Sequence, residues 1–208
     1  MATVDTRDAI VDAALELFNK DTVAAVSTNR IAQEIGISPG NLYYHYRNKE
    51  EIVRTLFDRM VDDWDTVWQL PPGRAPTASD LVQTLERTFE LHRRYRFFQR
   101  ELLALLARDP QLRDRYRAVY RRRLEEFTVF AESLAAAGVI RSSIQPWFTG
   151  LLEGLWIIGE HWMGHLEIVG DPNDPEQVRH GVQIVLAVLG PHLSDEFLGD
   201  CSRQGPHS

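Results

Sequence analysis

A chain of 208 residues has room for one large or two small domains and a sizeable core. Charged residues are 25% and apolar residues 44%, an ordinary globular balance; no apolar run approaches the roughly 20 residues that cross a bilayer, and no apolar segment follows a basic start, so neither membrane insertion nor export is expected. The net charge of −7 is unevenly spread, with −2 over residues 1–60, −4 over 61–86, +8 over 87–123 and −9 over 124–208; this excludes a generic polyanion binder at the N-terminus, and any nucleic-acid contact there must come from a small, well-placed surface.

The first helix is read from Ile10, Ala13, Ala14, Leu17 and Phe18, whose i, i+3, i+4, i+7, i+8 spacing draws one buried stripe. Thr6 is placed to cap it, and Asp8 suits the positive end of its dipole. After a loop over 21–26, Ser27 or Thr28 can cap a short second helix that turns Ile31, Ala32 and Ile35 inward. Gly36 can take the left-handed conformation that ends it. Ile37 packs back, Ser38 is a good N-cap, and Pro39 takes the first helical position, where its missing N–H costs nothing. Helix, short Gly-containing turn and helix in immediate succession are the signature of a helix-turn-helix. The third helix runs from 39 to about 46, and Asn48 with Glu51 forms a capping-box-like pair for the fourth.

The fourth helix is expected to reach about residue 68, with Ile52, Leu56, Met60, Trp64 and Val67 along one side, before Leu70, Pro71, Pro72 and Gly73 break it. Helical runs over about 79–94 and 96–107 lead to a break at Asp109-Pro110. A long helix then reaches about 137, stopped by Gly138, and two more cover about 145–168 and 175–189. With no β-rich segment, the fold class is all-α with about nine helices. Residues 1–50 are read as a helix-turn-helix domain, 51–193 as a second helical domain and 194–208 as a polar, mobile tail. That tail holds the single cysteine, Cys201, so no intramolecular disulfide forms, which fits a reducing cytoplasm.

The run from Ile31-Ala32-Gln33-Glu34-Ile35-Gly36 through Ile37-Ser38-Pro39-Gly40-Asn41-Leu42-Tyr43-Tyr44-His45-Tyr46 to Arg47-Asn48-Lys49-Glu50 resembles the DNA-binding domain of the tetracycline-repressor (TetR) family. The resemblance covers about residues 7–55; beyond them only length and helical layout are similar. It implies a homodimeric, ligand-responsive transcriptional regulator, a repressor rather than an activator, acting on a palindromic double-stranded DNA operator. Two positions depart from the family pattern. Thr22 stands where a Gly usually follows the first helix, so Asn19 or Asp21 is expected to supply the turn, and Asn41 stands where Thr is common.

The residues support that reading in their own right. A helix fits the major groove and can present its first turn to base edges. Leu42 and Tyr46 share an inward face, leaving Gly40, Asn41, Tyr44 and His45 largely on the other. Gly40 allows close backbone approach, Asn41 can pair with a base edge or phosphate, and Tyr43 and Tyr44 offer hydroxyls and flat apolar surface. His45 and Lys49 are placed for phosphates, as are Ser27 and Thr28 at the start of helix 2, with Ser38 at the start of helix 3 and Asn29 and Arg30 within reach of a neighbouring base or phosphate.

For an effector pocket the candidates are Trp64, Trp68, His92, Phe97, Phe127, Phe130, Trp156 and His161, with the effector expected to be small and apolar or aromatic, with an acidic group held by an Arg or His. Gly150, Leu151, Gly154, Leu155 and Ile158 on one helix and Val178, Val182, Val185, Leu186 and Leu189 on the next are the expected dimer surface, since small residues permit close approach and two-fold symmetry requires self-complementarity. The Arg-rich strip from Arg93 to Arg123 is read as a solvated face partly paired with the acidic C-terminal third. His161 and His165 at i, i+4 lack the rest of a zinc motif, so no metal and no cofactor are expected. No nucleophile motif, phosphate loop or dinucleotide-binding glycines occur, so an enzyme is not expected; a helical enzyme acting on a small molecule, or an activator-type regulator, is the alternative.

Overall fold

The computed structural model describes residues 5–69, 72–141 and 147–195. Among the described residues nine α-helices follow one another: α1 (Thr6–Lys20), α2 (Thr28–Glu34), α3 (Pro39–His45), α4 (Lys49–Asp65), α5 (Ala78–Arg94), α6 (Arg96–Arg108), α7 (Pro110–Ala136), α8 (Phe148–Val169) and α9 (Pro175–Leu189). A short 3-10 turn, Gly190–His192, follows α9. The start expected for α8 near residue 145, Leu70 and Pro71 of the break, and the tail from 196 on with Cys201 lie outside the described residues.

Most boundaries fall within a residue or two of the pattern, and the differences have local causes. Asp5, not Thr6, caps α1, accepting a hydrogen bond from the Arg7 N–H at 3.0 Å. Helix α4 ends at Asp65, three residues early, because the chain tightens there and Val67 donates to the Trp64 carbonyl at 2.9 Å. Trp68 therefore sits past the helix end. The loop after α1 needs no left-handed residue from Asn19 or Asp21. Asp21 is extended at φ −123°, and the Thr22 carbonyl accepts from the Ala25 and Val26 N–H groups. Thr77 and Asp80 form a full capping box on α5, which the sequence reading passed over.

Helices α1 to α3 close over Ile10, Ala14, Phe18, Ile31, Leu42 and Tyr46. Helix α4 runs from this head into the body with Ile52, Leu56, Met60 and Trp64 inward. In the body α5 packs on α9, α6 on α8, and α8 on α9, while α6 also touches α1. Hydrogen bonds join the head to α6. Buried Asn19 donates to the Arg94 carbonyl at 2.8 Å and accepts from the Phe97 N–H at 3.1 Å. Arg100 donates to the Phe18 and Asp21 carbonyls at 2.7 and 2.6 Å, closing the C-terminal end of α1. Glu101 accepts from the Val23 N–H at 2.9 Å.

Four arginines of the strip clamp α4, a partner the sequence does not announce, while Arg108, Arg117 and Arg121 stay on the solvated face. Arg94 meets Asp63 at 2.9 Å, Arg115 meets Asp58 at 2.5 Å, and Arg122 meets Asp65 at 3.1 Å. Arg123 is 1% exposed, pairs with Asp65 and Glu126, and lies over the Trp64 ring at 5.3 Å. These pairs hold Asp65 below the usual carboxylate range, against the opposing effect of its partial burial. Arg100 reaches Glu167 at 3.3 Å, and with Glu126 this supplies part of the expected pairing with the acidic segment after residue 123.

Candidate nucleic-acid interface and effector cavity

The turn between α2 and α3 is fixed by backbone bonds. Gly36, at φ +69°, donates to the Gln33 carbonyl at 3.2 Å and Ile37 to that of Ala32 at 3.0 Å, the paired bonds of a Schellman motif. Ser27 caps α2 through the Arg30 N–H and Ser38 caps α3 through the Asn41 N–H. With Leu42 fully buried and Tyr46 nearly so, Arg7 donating to the Tyr46 hydroxyl, the register of α3 is locked. Gly40, Asn41 and Tyr44 are then left on the outer face, Tyr44 at 85% exposure.

The remaining candidates differ in how free they are. Asn29 is exposed. The Tyr43 and Thr28 hydroxyls share a hydrogen bond of 2.9 Å, joining α3 to α2. His45 is half-buried, edge-on to Tyr44 at 5.2 Å. Arg30 meets Asp21 at 2.8 Å. Lys49 departs from its expected phosphate role: its ammonium donates to the Val23 and Val26 carbonyls of the loop after α1. The side chain folds back because that loop presents carbonyls that no helix satisfies. Burial lowers the Lys49 pKa. Arg47, exposed directly after α3, was not among the candidates.

In the body, Trp64, Trp68, His92, Phe127, Phe130 and Trp156 converge on one cavity of about 80 Å³. Leu85, Phe89, Leu155, Thr88 and Glu160 complete much of the wall. Trp64 stacks on Trp156 at 5.4 Å, and Trp68 lies 4.1 Å from Phe127. Two candidates fall elsewhere. Phe97 is sealed between head and body, 5.5 Å from Phe18, because α6 turns that side toward α1. His161 is exposed on the outer side of α8. Both carboxylate oxygens of Glu160 are engaged, one by the Tyr116 hydroxyl and one by the Trp156 indole N–H at 2.9 Å. His92 is buried at 4% exposure, and that burial pushes its imidazole down to about 4. The His92 imidazole lies against the Gly159 backbone, whereas the buried indole nitrogens of Trp64 and Trp68 have no protein hydrogen-bond partner.

The expected dimer surface divides in two. Val178, Val182, Val185 and Leu189 are buried within the protomer, on the side of α9 that packs on α5, and Leu151 and Leu155 line the cavity. The four α9 residues serve the protomer's own core, so they are withdrawn from the interface, while Leu151 and Leu155 are half-buried. Ile158 and Leu186 are half-buried. Gly150 and Gly154 lie on the outer stripe of α8, with open space where a Cβ would stand. The apolar side chains on that outer surface are ones the sequence reading missed: Ile157 at 58%, Ile168 at 82% and Val188 at 38% exposure. The signal was present, since α8 carries more apolar residues than the side packed on α6 and α9 can take up, which leaves Ile157 and Ile168 without cover.

A helix-turn-helix head with an outward-facing α3, carried by a helical body with an aromatic cavity, defines a DNA-binding regulator class. Residues 10–56 match the model described as bacterial regulatory proteins of the tetR family, and residues 59–200 match the model described as bacterial transcriptional repressor. The chain belongs to the TetR family. A TetR-family transcriptional regulator from Marinobacter aquaeolei is 33% identical, with 98% of this chain and 100% of that one covered at a TM-score of 0.87. The class D tetracycline repressor of Escherichia coli is 38% identical over 50 residues, which are 24% of this chain and 23% of that repressor. A putative regulator from Saccharomonospora viridis, solved in complex with choline, is 19% identical, covers 90% of this chain and 97% of its own, and has a TM-score of 0.72. Among the described residues no helix is long and apolar enough to cross a membrane.

Proposed function

We propose that a homodimer of this chain represses transcription by seating two heads on a palindromic operator, and that a small molecule entering the aromatic cavity releases it. The observation that carries this reading is the path of α4. It starts after three intervening residues, 46–48, and its last turn carries Trp64, a wall of the cavity. A displacement of Trp64 by a ligand is thus passed along one helix to the recognition surface.

Asn41, Gly40 and Tyr44 are assigned to base edges, and Asn29, His45 and Arg47 to the phosphate backbone, with Ser27, Thr28, Tyr43 and Ser38 holding α2 and α3 in register. The heads would sit in successive major grooves about 34–36 Å apart. Dimerisation is assigned to the outer faces of α8 and α9, through Gly150, Gly154, Ile157, Ile168 and Val188. Such a regulator works in the bacterial cytoplasm, on the nucleoid, without cofactor or metal. Operator selection from a genomic DNA library, followed by titration of small molecules against the purified complex, tests the reading. A selected palindrome released by a cavity-binding compound is expected; no sequence-selective binding at moderate salt overturns it.

A further inference from the structure

We infer that the cavity takes an uncharged, mostly apolar ring compound bearing a hydrogen-bond-accepting oxygen, held by the indole N–H groups of Trp64 and Trp68. The inference rests on the cavity being the effector site, as proposed above, and narrows its ligand.

The argument starts from the polar atoms that the fold leaves over. A buried N–H without a partner costs free energy, and native interiors leave few of them. Here two indole nitrogens, those of Trp64 and Trp68, are buried without protein partners, both on side chains that wall one cavity. By contrast the third indole of the cavity, Trp156, is satisfied by Glu160. Indole nitrogen only donates, so the two free indoles call for an acceptor on the ligand. A carbonyl oxygen, with two lone pairs, can accept from both indoles.

Charge is disfavoured on both signs. His92 stays neutral at physiological pH because burial holds its pKa near 4, and among the described residues no Lys or Arg lines the cavity. A ligand carboxylate would therefore lose its hydration without gaining a cation, contrary to the acidic group expected from the sequence. Glu160, the one charged wall residue among the described residues, has both oxygens engaged by Tyr116 and Trp156. A ligand ammonium would have to compete for them while still leaving the free indole donors unpaired. The remaining wall is aromatic and aliphatic, which favours rings.

Four probes on one five-membered ring, a skeleton matched to a cavity of about 80 Å³, separate these cases: cyclopentanone, cyclopentane, cyclopentanecarboxylate and cyclopentylamine in its ammonium form. Binding to the DNA-free protein is followed by calorimetry and by the rise in Tm. Cyclopentanone is expected to bind about tenfold more tightly than cyclopentane, the worth of one hydrogen bond, with the carboxylate and the ammonium weaker than both. In Trp64→Phe and Trp68→Phe, which remove the donor and also shrink the side chain, the readout is the ratio of the two affinities in each variant, and that ratio should fall toward one. An unchanged ratio in both variants, equal binding of cyclopentane and cyclopentanone to the wild type, tightest binding by either charged probe, or no binding by any of the four overturns the inference. Donor-dependent binding of cyclopentanone that leaves operator affinity untouched would keep the ligand class and instead refute the regulatory reading.

Discussion

At the scale of single residues, the side chain with the widest consequence is His92. Unfolding returns its imidazole to the ordinary 6.5, whereas the folded protein refuses the proton until about pH 4. Between those values the unfolded chain binds more protons, so stability is unaffected above pH 6.5 and falls as acid is added toward pH 4. The loss attributable to this one group is on the order of 3 kcal/mol. His92→Phe keeps a ring in the same space, and its Tm should fall less than that of the wild type between pH 7 and pH 4.5. Thermal melts across that range check it; parallel curves for the two proteins would show that His92 is protonated without penalty. The same residue illustrates how far a sequence can be read at this scale. His92 and His161 look equally plausible as pocket groups in one dimension, and only the packing of α5 and α8 buries the first and exposes the second.

At the scale of elements, the loop between α1 and α2 is held by a cation rather than by a glycine. The carbonyls of Val23 and Val26 converge on the Lys49 ammonium, which stands on the first turn of α4. Lys49→Ala should therefore destabilise the head by about 1–3 kcal/mol through unsatisfied carbonyls and weaken binding to every DNA sequence while leaving the salt slope close to that of the wild type. Tyr44→Ala, at an exposed position, should leave Tm unchanged and lower operator affinity. Melting curves and binding isotherms at several salt concentrations separate the two, and a salt slope reduced by about one in Lys49→Ala would return that residue to a phosphate contact. The helices themselves were legible in the sequence because periodicity, caps and breakers agreed from α1 to α9. What escaped were features set by tertiary partners. Phe97 and Phe127 carry the same apolar signal, yet α6 turns one toward the head and α7 turns the other into the cavity. The inward side of α9 was read as an outer one because Val178, Val182 and Val185 mark an apolar stripe without saying which body covers it.

At the scale of the whole molecule, the division of α9 into an inner and an outer side makes the proposed assembly testable. Ile157→Glu or Val188→Glu places a charge on the outer surface, and a folded monomer with normal helix content should result. Val185→Glu buries the charge inside the protomer and should unfold the body instead. Light scattering with circular dichroism distinguishes the two outcomes; a dimer that survives Ile157→Glu and Val188→Glu together would move the interface elsewhere. The junction between head and body has a different consequence, one for recombination. Asn19, Arg100 and Glu101 join the two parts through hydrogen bonds to named backbone groups. Directional bonds of this kind do not tolerate arbitrary substitutes as a greasy contact would. A head transplanted from a relative would keep its own fold yet sit loosely on this body unless an amide at position 19 travelled with it. The reverse graft would need the Arg-Glu pair of α6. Operator choice and ligand choice are thus interchangeable between members of the family only along seams where these three side chains match.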